Sequence, residues 1–246
     1  MIKEAIILAG GLGTRLRSVV PDLPKCMAPV AGKPFLHYVI AHLKREGVQN
    51  FIFSIGYKSE SIINFVNKEF LPAGKAALND VQFSAEKEPL GTGGAVKLAC
   101  EKVSNHNVLV CNGDTLFEIN QGKLSNFHLH HNADCTLCLK PMNNFERYGV
   151  VEMNNDASIK SFKEKQFYES GFINGGVYAL DVKNFRKENL PEKFSFEKDY
   201  LEKYAGKRNF YAVIQDEYFI DIGIPEDYER AQKELGPTSG ERDLKP

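Results

Sequence analysis

The chain reads as an α/β protein with a mixed, mainly parallel sheet flanked by helices, and three observations predict this. The apolar run at residues 5–9 stops at Gly10 and Gly11, as a buried strand does. Strand-like apolar runs then alternate with helical patterns as far as Cys111, the order of a parallel sheet covered by crossover helices. Beyond that point the connections shorten, which favours mixed or antiparallel pairing.

The elements follow in order. Residues 5–9 are the first strand. Residues 34–46 are a helix, with Phe35, Val39, Ile40 and Leu43 on one face and Gly47 ending it. Residues 51–55 are a second strand, 59–70 a helix, and 81–84 a third strand. A helix over 92–103 leads to a fourth buried strand, 108–111, which ends at Asn112-Gly113-Asp114. In the second half, residues 135–139, 148–153, 159–162 and 175–180 are strands separated by turn residues such as Asn154-Asn155-Asp156. Pro225 starts a terminal helix over 226–235. The tail, 236–246, holds two Pro and two Gly among polar residues and is expected to be disordered.

Composition excludes several classes. At 246 residues the chain can bury one sizeable core. Its formal net charge of −1 gives no general basic field for nucleic acid or an anionic membrane, so bound anions need local donors. Five Cys, an odd number at irregular spacing, do not form a disulfide framework and point to a reducing compartment. The amino terminus is too short and too acidic for a signal peptide. No run approaches the ~20 apolar residues of a membrane span. A cytoplasmic location is expected.

The strongest local signal is Leu8-Ala9-Gly10-Gly11-Leu12-Gly13-Thr14-Arg15-Leu16, directly after the first strand. Glycines let backbone approach a phosphate chain, and successive N–H groups form an anion-binding concavity. The dinucleotide fingerprint would need a third glycine at Leu16, and the Walker loop a Lys where Thr14 stands. A phosphate loop of another kind fits better. Next, Pro24 and Pro29 flank Lys25 in a stretch otherwise poor in charge. A stiff segment holds a cation at a fixed place, as transition-state stabilisation requires, although a solvated lysine reads the same way.

With Gly32-Lys33-Pro34 following, this order of motifs resembles the sugar-1-phosphate nucleotidyltransferases. The resemblance runs on through Glu88-Pro89-Leu90-Gly91-Thr92-Gly93-Gly94-Ala95, Asn112-Gly113-Asp114, Asn174-Gly175-Gly176-Val177-Tyr178 and Asp221-Ile222-Gly223-Ile224-Pro225-Glu226, about residues 4–235. Within the family, the wording is most similar to the heptose 1-phosphate guanylyltransferases. The resemblance implies a Rossmann-like sheet of the nucleotide-diphospho-sugar transferase type. It implies one domain over 1–235, with a nucleotide-binding half to about 115 and a sugar-binding half beyond. No hexapeptide pattern of a carboxyl-terminal β-helix is present.

Carried over residue by residue, the resemblance implies nucleotide contacts at Leu8, Ala9, Gly10, Gly11, Gly13, Thr14, Glu86, Gly91 and Thr92. It implies catalytic roles for Arg15 and Lys25 and Mg²⁺ ligands at Asp114 and Asp221. Sugar phosphate contacts fall on Gly149, Glu164, Lys165, Asn174 and Gly175. Asp114 also makes sense unaided, since open α/β sheets place their ligand crevice beyond strand ends. An isolated Asn-Gly-Asp is ordinarily a turn, and Glu164-Lys165 in a charge-rich stretch is ordinarily a solvated edge.

Two clusters invite over-reading. Of His128, His130 and His131, only the first and last would share a helical face, with no carboxylate or Cys to complete a metal site. Cys135 and Cys138 have redox spacing, but on a strand residues three apart point to opposite faces.

The implied partners are a nucleoside triphosphate and a sugar 1-phosphate. The phosphate attacks the α-phosphorus in line and pyrophosphate leaves. No strong base is required, because the nucleophile is already anionic. Guanine is the expected base, because its pairing edge offers two adjacent donors to the acceptor-only carboxylate of Glu86. Glu88 is the alternative reader, since a strand would point both to one side. Other readings remain: a mannose 1-phosphate guanylyltransferase, an amino-sugar uridylyltransferase, a nucleotide-sugar-dependent glycosyltransferase, or a non-catalytic nucleotide-sugar sensor.

Overall fold

The strand over Glu4–Leu8 (β1) is apolar on both faces because both are covered. Ala5 and Ile7 enter one core and Ile6 the other. A computed structural model describes residues 1–11, 16, 19–71 and 78–236. Gly13, Thr14, Arg15 and the tail beyond Gly236 lie outside the described residues.

After β1 come a 3₁₀ turn at Lys25–Met27, a two-strand ribbon, Pro29–Val30 (β2) and Lys33–Pro34 (β3), and the helix Phe35–Arg45 (α1). The strand Asn50–Ile55 (β4), helix Ser59–Phe70 (α2), strand Asp80–Ala85 (β5) and helix Gly91–Cys100 (α3) lead to Asn107–Asn112 (β6) and Thr115–Phe117 (β7). The helix Gln121–His130 (α4) precedes the strand Cys135–Phe145 (β8), the ribbon of Val151–Met153 (β9) and Ile159–Phe162 (β10), and the long strand Tyr168–Asp181 (β11). A short helix Val182–Lys187 (α5), a π-helix Phe196–Glu202, strands Phe210–Ile214 (β12) and Phe219–Asp221 (β13) and the helix Pro225–Glu234 (α6) complete the chain.

Seven strands form one sheet in the order β12-β8-β11-β6-β1-β4-β5. β1 is parallel to β4 and β6, β4 to β5, and β12 to β8, whereas β11 runs antiparallel to both its neighbours. The sheet is therefore mixed and mainly parallel, as the sequence predicts. Helices α1, α2, α4 and α6 cover one face; α3, α5 and the π-helix cover the other. Cys135 packs with the second group and Cys138 with the first, and all five Cys are buried free thiols. His128 is a core residue, its ring nitrogens 2.9 Å from Thr136 Oγ1 and from Asn107 Oδ1. Burial lowers its pKa to about 4, against the pull of Asp181 and Asp134.

The second half departs from the expected boundaries. The strands expected at 135–139 and 175–180 belong to a pair of 11 and 14 residues, and of the strand expected at 148–153 only Val151–Met153 forms β9, with an isolated bridge from Val150 to Ile173. The structure adds β7, α4, α5, the π-helix, β12 and β13. These carry weak periodic signals: α4 mixes Gln121, Lys123 and four polar or His positions with one buried Leu.

Strand order reverses at β1, with β4 on one side and β6 on the other. Beyond the carboxyl ends of parallel strands, such a switch point leaves a crevice. One wall is closed by glycines. Gly91 has φ +73°, and a Cβ there would stand 2.6 Å from the Phe194 carbonyl oxygen. A Cβ at Gly94 would overlap the Glu192 carbonyl oxygen. Helix α3 thus seats against the 192–196 segment only with glycine at these positions. Gly94→Ala should strain this seat by roughly 1–3 kcal/mol, lowering Tm by about 2–12 °C in a chain of this size. An unchanged thermal midpoint would show that the segment yields freely.

Candidate active site

The turns beyond β1, β4, β5 and β6 line a cleft of about 700 Å³, which takes in Leu8, Ala9, Gly10, Gly11, Glu86 and Asp114. Gly91 and Thr92 lie on its wall. A second cleft of about 650 Å³ adjoins it, lined by Gly149, Glu164, Lys165, Asn174, Gly175 and Asp221. The residues expected on a nucleotide and those expected on a sugar phosphate thus sort into two neighbouring compartments. Gly13, Thr14 and Arg15 belong to the undescribed part of the first loop.

Lys25 joins the two. Pro24, at φ −56° and ψ 144°, and the 3₁₀ turn after it bury Cys26 and Met27, which fixes the lysine stem. Its ammonium donates to Asp114 Oδ2 at 2.5 Å and to Asp221 Oδ1 at 3.1 Å. The lysine side chain is 15% exposed. Burial works against its charge, but Asp114 and then Asp221 outweigh burial, so the pKa lies above the ordinary lysine value. Both carboxylates come from a short antiparallel pair, Asp114 preceding β7 and Asp221 ending β13. A Cβ at Gly113 would stand 2.9 Å from the Leu8 carbonyl oxygen, and one at Gly223 2.9 Å from Asp221 Oδ1. Glycine at both positions permits this close approach. Helix α6 braces the segment beyond the lysine, with Tyr228 Oη and Gln232 Nε2 each donating to the Pro29 carbonyl at 2.6 Å.

The two carboxylates aim at one point, which is the geometry a small hard cation uses. Among the described residues no group of three or more His, Cys, Asp or Glu forms a protein cage. Two carboxylates with open positions suit an ion whose other ligands are phosphate oxygens and water.

In the first compartment, Glu86 Oε2 accepts the Leu90 N–H at 2.9 Å, and a Cβ at Gly10 would stand 3.1 Å from Oε1. Desolvation raises the Glu86 pKa, with the Leu90 N–H pulling it partly back. β5 ends at Ala85, so Glu86 and Glu88 are not on a strand. Glu86 is half-buried and Glu88 exposed, which removes the same-side equivalence expected from sequence. Burial pushes the Cys26 thiol up to about 12, so this cleft residue stays a neutral thiol.

In the second compartment, pairing of β11 with β8 shifts register between Asn174 and Tyr178. Such a bulge re-aims side chains. Asn174 is held on both sides, donating to Tyr178 Oη at 2.8 Å and accepting from the Gly176 N–H at 3.1 Å. A Cβ at Gly175 would overlap the Phe117 ring, and one at Gly149 the Lys163 carbonyl oxygen. These two glycines therefore serve packing as well as lining the cleft. Lys165 is exposed between β10 and β11.

Sequence reasoning missed Asn112, Tyr148 and Glu197, which also line the clefts. The Tyr148 hydroxyl accepts from Arg147, which pairs with Asp227 at 2.6 Å. Burial, then the nearby Asp221 charge, pushes the Tyr148 hydroxyl up to about 12. Asn112 opens the Asn-Gly-Asp motif but is given no role of its own there, whereas no spacing signal marks Tyr148 or Glu197.

Removing the central cation should expose the repulsion it suppresses. In metal-free buffer, Lys25→Met leaves two partly exposed carboxylates facing each other. Their repulsion is then uncompensated and destabilises the fold. We expect a loss of about 1 kcal/mol at low ionic strength, or ~2–4 °C in Tm, shrinking as salt is added. A deficit that is constant with salt would mean that lost packing, not charge, is responsible.

Comparison with known proteins gives the family. Residues 4–237 match the family described as nucleotidyl transferase. The chain is 50% identical to D-glycero-alpha-D-manno-heptose 1-phosphate guanylyltransferase of Aneurinibacillus thermoaerophilus, over 94% of this chain and 98% of the relative. It is 46% identical to the protein of the same name from Campylobacter jejuni, over 92% and 96%. The crystal structure of HddC from Yersinia pseudotuberculosis complexed with GMP-PN superposes with a TM-score of 0.82 at 39% identity, covering 95% of this chain and 100% of that one. The chain belongs to the nucleotidyl transferase family.

Proposed function

We propose that this enzyme transfers GMP from GTP to D-glycero-α-D-manno-heptose 1-phosphate, giving GDP-heptose and pyrophosphate. The observation that carries the chemistry is Lys25, whose ammonium bonds Asp114 of one compartment and Asp221 of the other. The sugar rests on the names of the relatives at 50% and 46% identity. The base rests on Glu86 and on the relative crystallised with GMP-PN.

The triphosphate lies along the loop after β1, its base towards Glu86, and the sugar phosphate lies towards Lys165. An oxygen of the sugar 1-phosphate attacks the α-phosphorus in line. The nucleophile is already anionic, so no base need remove a proton. Lys25 and Arg15 supply positive charge to the phosphate oxygens, and Lys165 orients the attacking phosphate. Asp114 and Asp221 would hold a divalent ion, Mg²⁺ in this reading, which neutralises charge on the phosphates and orients them when bound. The substrates are small and water-soluble, and no helix among the described residues is long and apolar enough to cross a membrane. Action in the cytoplasm suits both.

A matrix of nucleoside triphosphates against sugar 1-phosphates, including mannose and manno-heptose, tests this reading by pyrophosphate release. GTP with the heptose phosphate should give the highest kcat/KM. Lys25→Ala should lower turnover by about 10²–10³-fold at saturating substrates. Equal use of UTP, or near-normal turnover of the variant, would overturn the respective assignment.

Guanine reading should also depend on pH. The carboxylate must be ionised to accept two donors; among the described residues no hydrogen bond engages Oε1, and Oε2 keeps a lone pair beside the Leu90 N–H. Affinity for GTP is therefore full above the raised Glu86 pKa and declines as pH falls through it. Glu86→Gln should erase that acid limb and reduce the preference for GTP by about tenfold or more, and by more than Glu88→Gln does. An acid limb that survives in Glu86→Gln would assign the titration elsewhere.

A further inference from the structure

The segment Phe194-Ser195-Phe196-Glu197-Lys198 alternates apolar and polar residues. Phe196 is fully buried and packs edge-on against Tyr178 and Phe185. That anchor leaves Glu197 at the rim of the cleft, in the first turn of the π-helix. Single π turns recur at functional sites because they re-aim side chains at a cost in backbone geometry.

The carboxylate is held from two sides. Its Oε2 accepts from the Thr92 hydroxyl at 2.7 Å and from the Ser195 hydroxyl at 3.1 Å. The Thr92 hydroxyl in turn accepts the Phe196 N–H at 2.9 Å, which ties the start of α3 to the π-helix. Among the described residues no hydrogen bond engages Oε1. Glu197 and Asn112 line both clefts, so this half-oriented anion stands where the two substrates meet.

Charge restricts what such a group can bind. A carboxylate only accepts, so it repels phosphate oxygens and requires donors. The base end of the first cleft already has Glu86. The remaining neutral donors on the two substrates are sugar hydroxyls. We propose that Glu197 reads sugar hydroxyls through Oε1, on the ribose of the nucleotide or on the ring of the sugar 1-phosphate. This rests on the reading of the two clefts as triphosphate and sugar phosphate sites.

The alternative is a purely structural clamp between α3 and the π-helix, and kinetics separate the two. Glu197→Ala and Glu197→Gln are compared with Ser195→Ala, which removes one clamp bond and keeps the carboxylate. Pyrophosphate release is measured with GTP, 2′-deoxy-GTP and 3′-deoxy-GTP, each with the sugar 1-phosphate that wild type uses best. Loss of a charge-assisted hydrogen bond should cost about 10–100-fold in kcat/KM. If the ribose is read, the wild-type preference for GTP over a deoxy analogue collapses in Glu197→Ala and in Glu197→Gln weakens less. If the other sugar is read, KM for the sugar 1-phosphate rises at least tenfold and the deoxy ratios stay put. Unchanged KM values and unchanged ratios in an active variant would overturn the inference alone. So would a fall in turnover and Tm that Ser195→Ala reproduces. A wild-type enzyme that releases no pyrophosphate with any pair would overturn the proposed function and this inference with it.

Discussion

The contact of one ammonium with two carboxylates is the constraint on which the site depends. Lys25, Asp114 and Asp221 lie far apart in sequence, and each would be an expensive part-buried charge without the others. Glycine at 113 and at 223 lets the backbone come close enough for the three to meet. Two prolines, the 3₁₀ turn and the hydrogen bonds from Tyr228 and Gln232 keep the lysine segment in place. Helix α6, far from the phosphate loop in sequence, is thereby part of the scaffold of the site.

The sheet supplies the other half of that scaffold. β1 lies between β4 and β6, so the loop after it and the turn after β6 open into the same crevice. β11 enters antiparallel beside β6 and brings the bulge at Asn174 to the neighbouring compartment. Two substrates with two phosphate groups can thus lie end to end along one sheet edge. That arrangement supplies approach and alignment, which is most of what an in-line displacement between anions needs.

Much of this was legible in the sequence. The five-residue apolar run before Gly10, the alternating elements and the Asn-Gly-Asp turn gave the first sheet strands and the cleft beyond them. Order and spacing of motifs pointed to Lys25, Asp114 and Asp221, which the fold brings together. The second half was harder. β8 runs on past its apolar start and β11 begins well before its apolar end, so the pattern marked only 135–139 of the one and 175–180 of the other. Glu86 and Glu88 looked equivalent under strand periodicity, but the strand ends at Ala85 and their exposures differ. Tyr148 and Glu197 owe their places to contacts across long sequence distances, and no local pattern encodes those.

The sign of the charge in the first cleft bears on what must arrive with the nucleotide. Among the described residues that line it, Glu86, Glu88, Asp114 and Glu197 outnumber Lys25 and Lys87. Lys25 is moreover already committed to two carboxylates, one of them from the neighbouring compartment. Against the charge of these described residues alone, a triphosphate would meet net repulsion over separations shorter than the ~8–10 Å screening length of ordinary buffer. A divalent ion held beside Asp114 and Asp221 would cancel that excess, and it would give the two carboxylates a stronger partner than an ammonium. Lys25 would then be freed from part of its pairing to serve the phosphate oxygens. The same acidic pair that fixes the lysine is thus the physical reason to expect the nucleotide and the proposed metal to bind together.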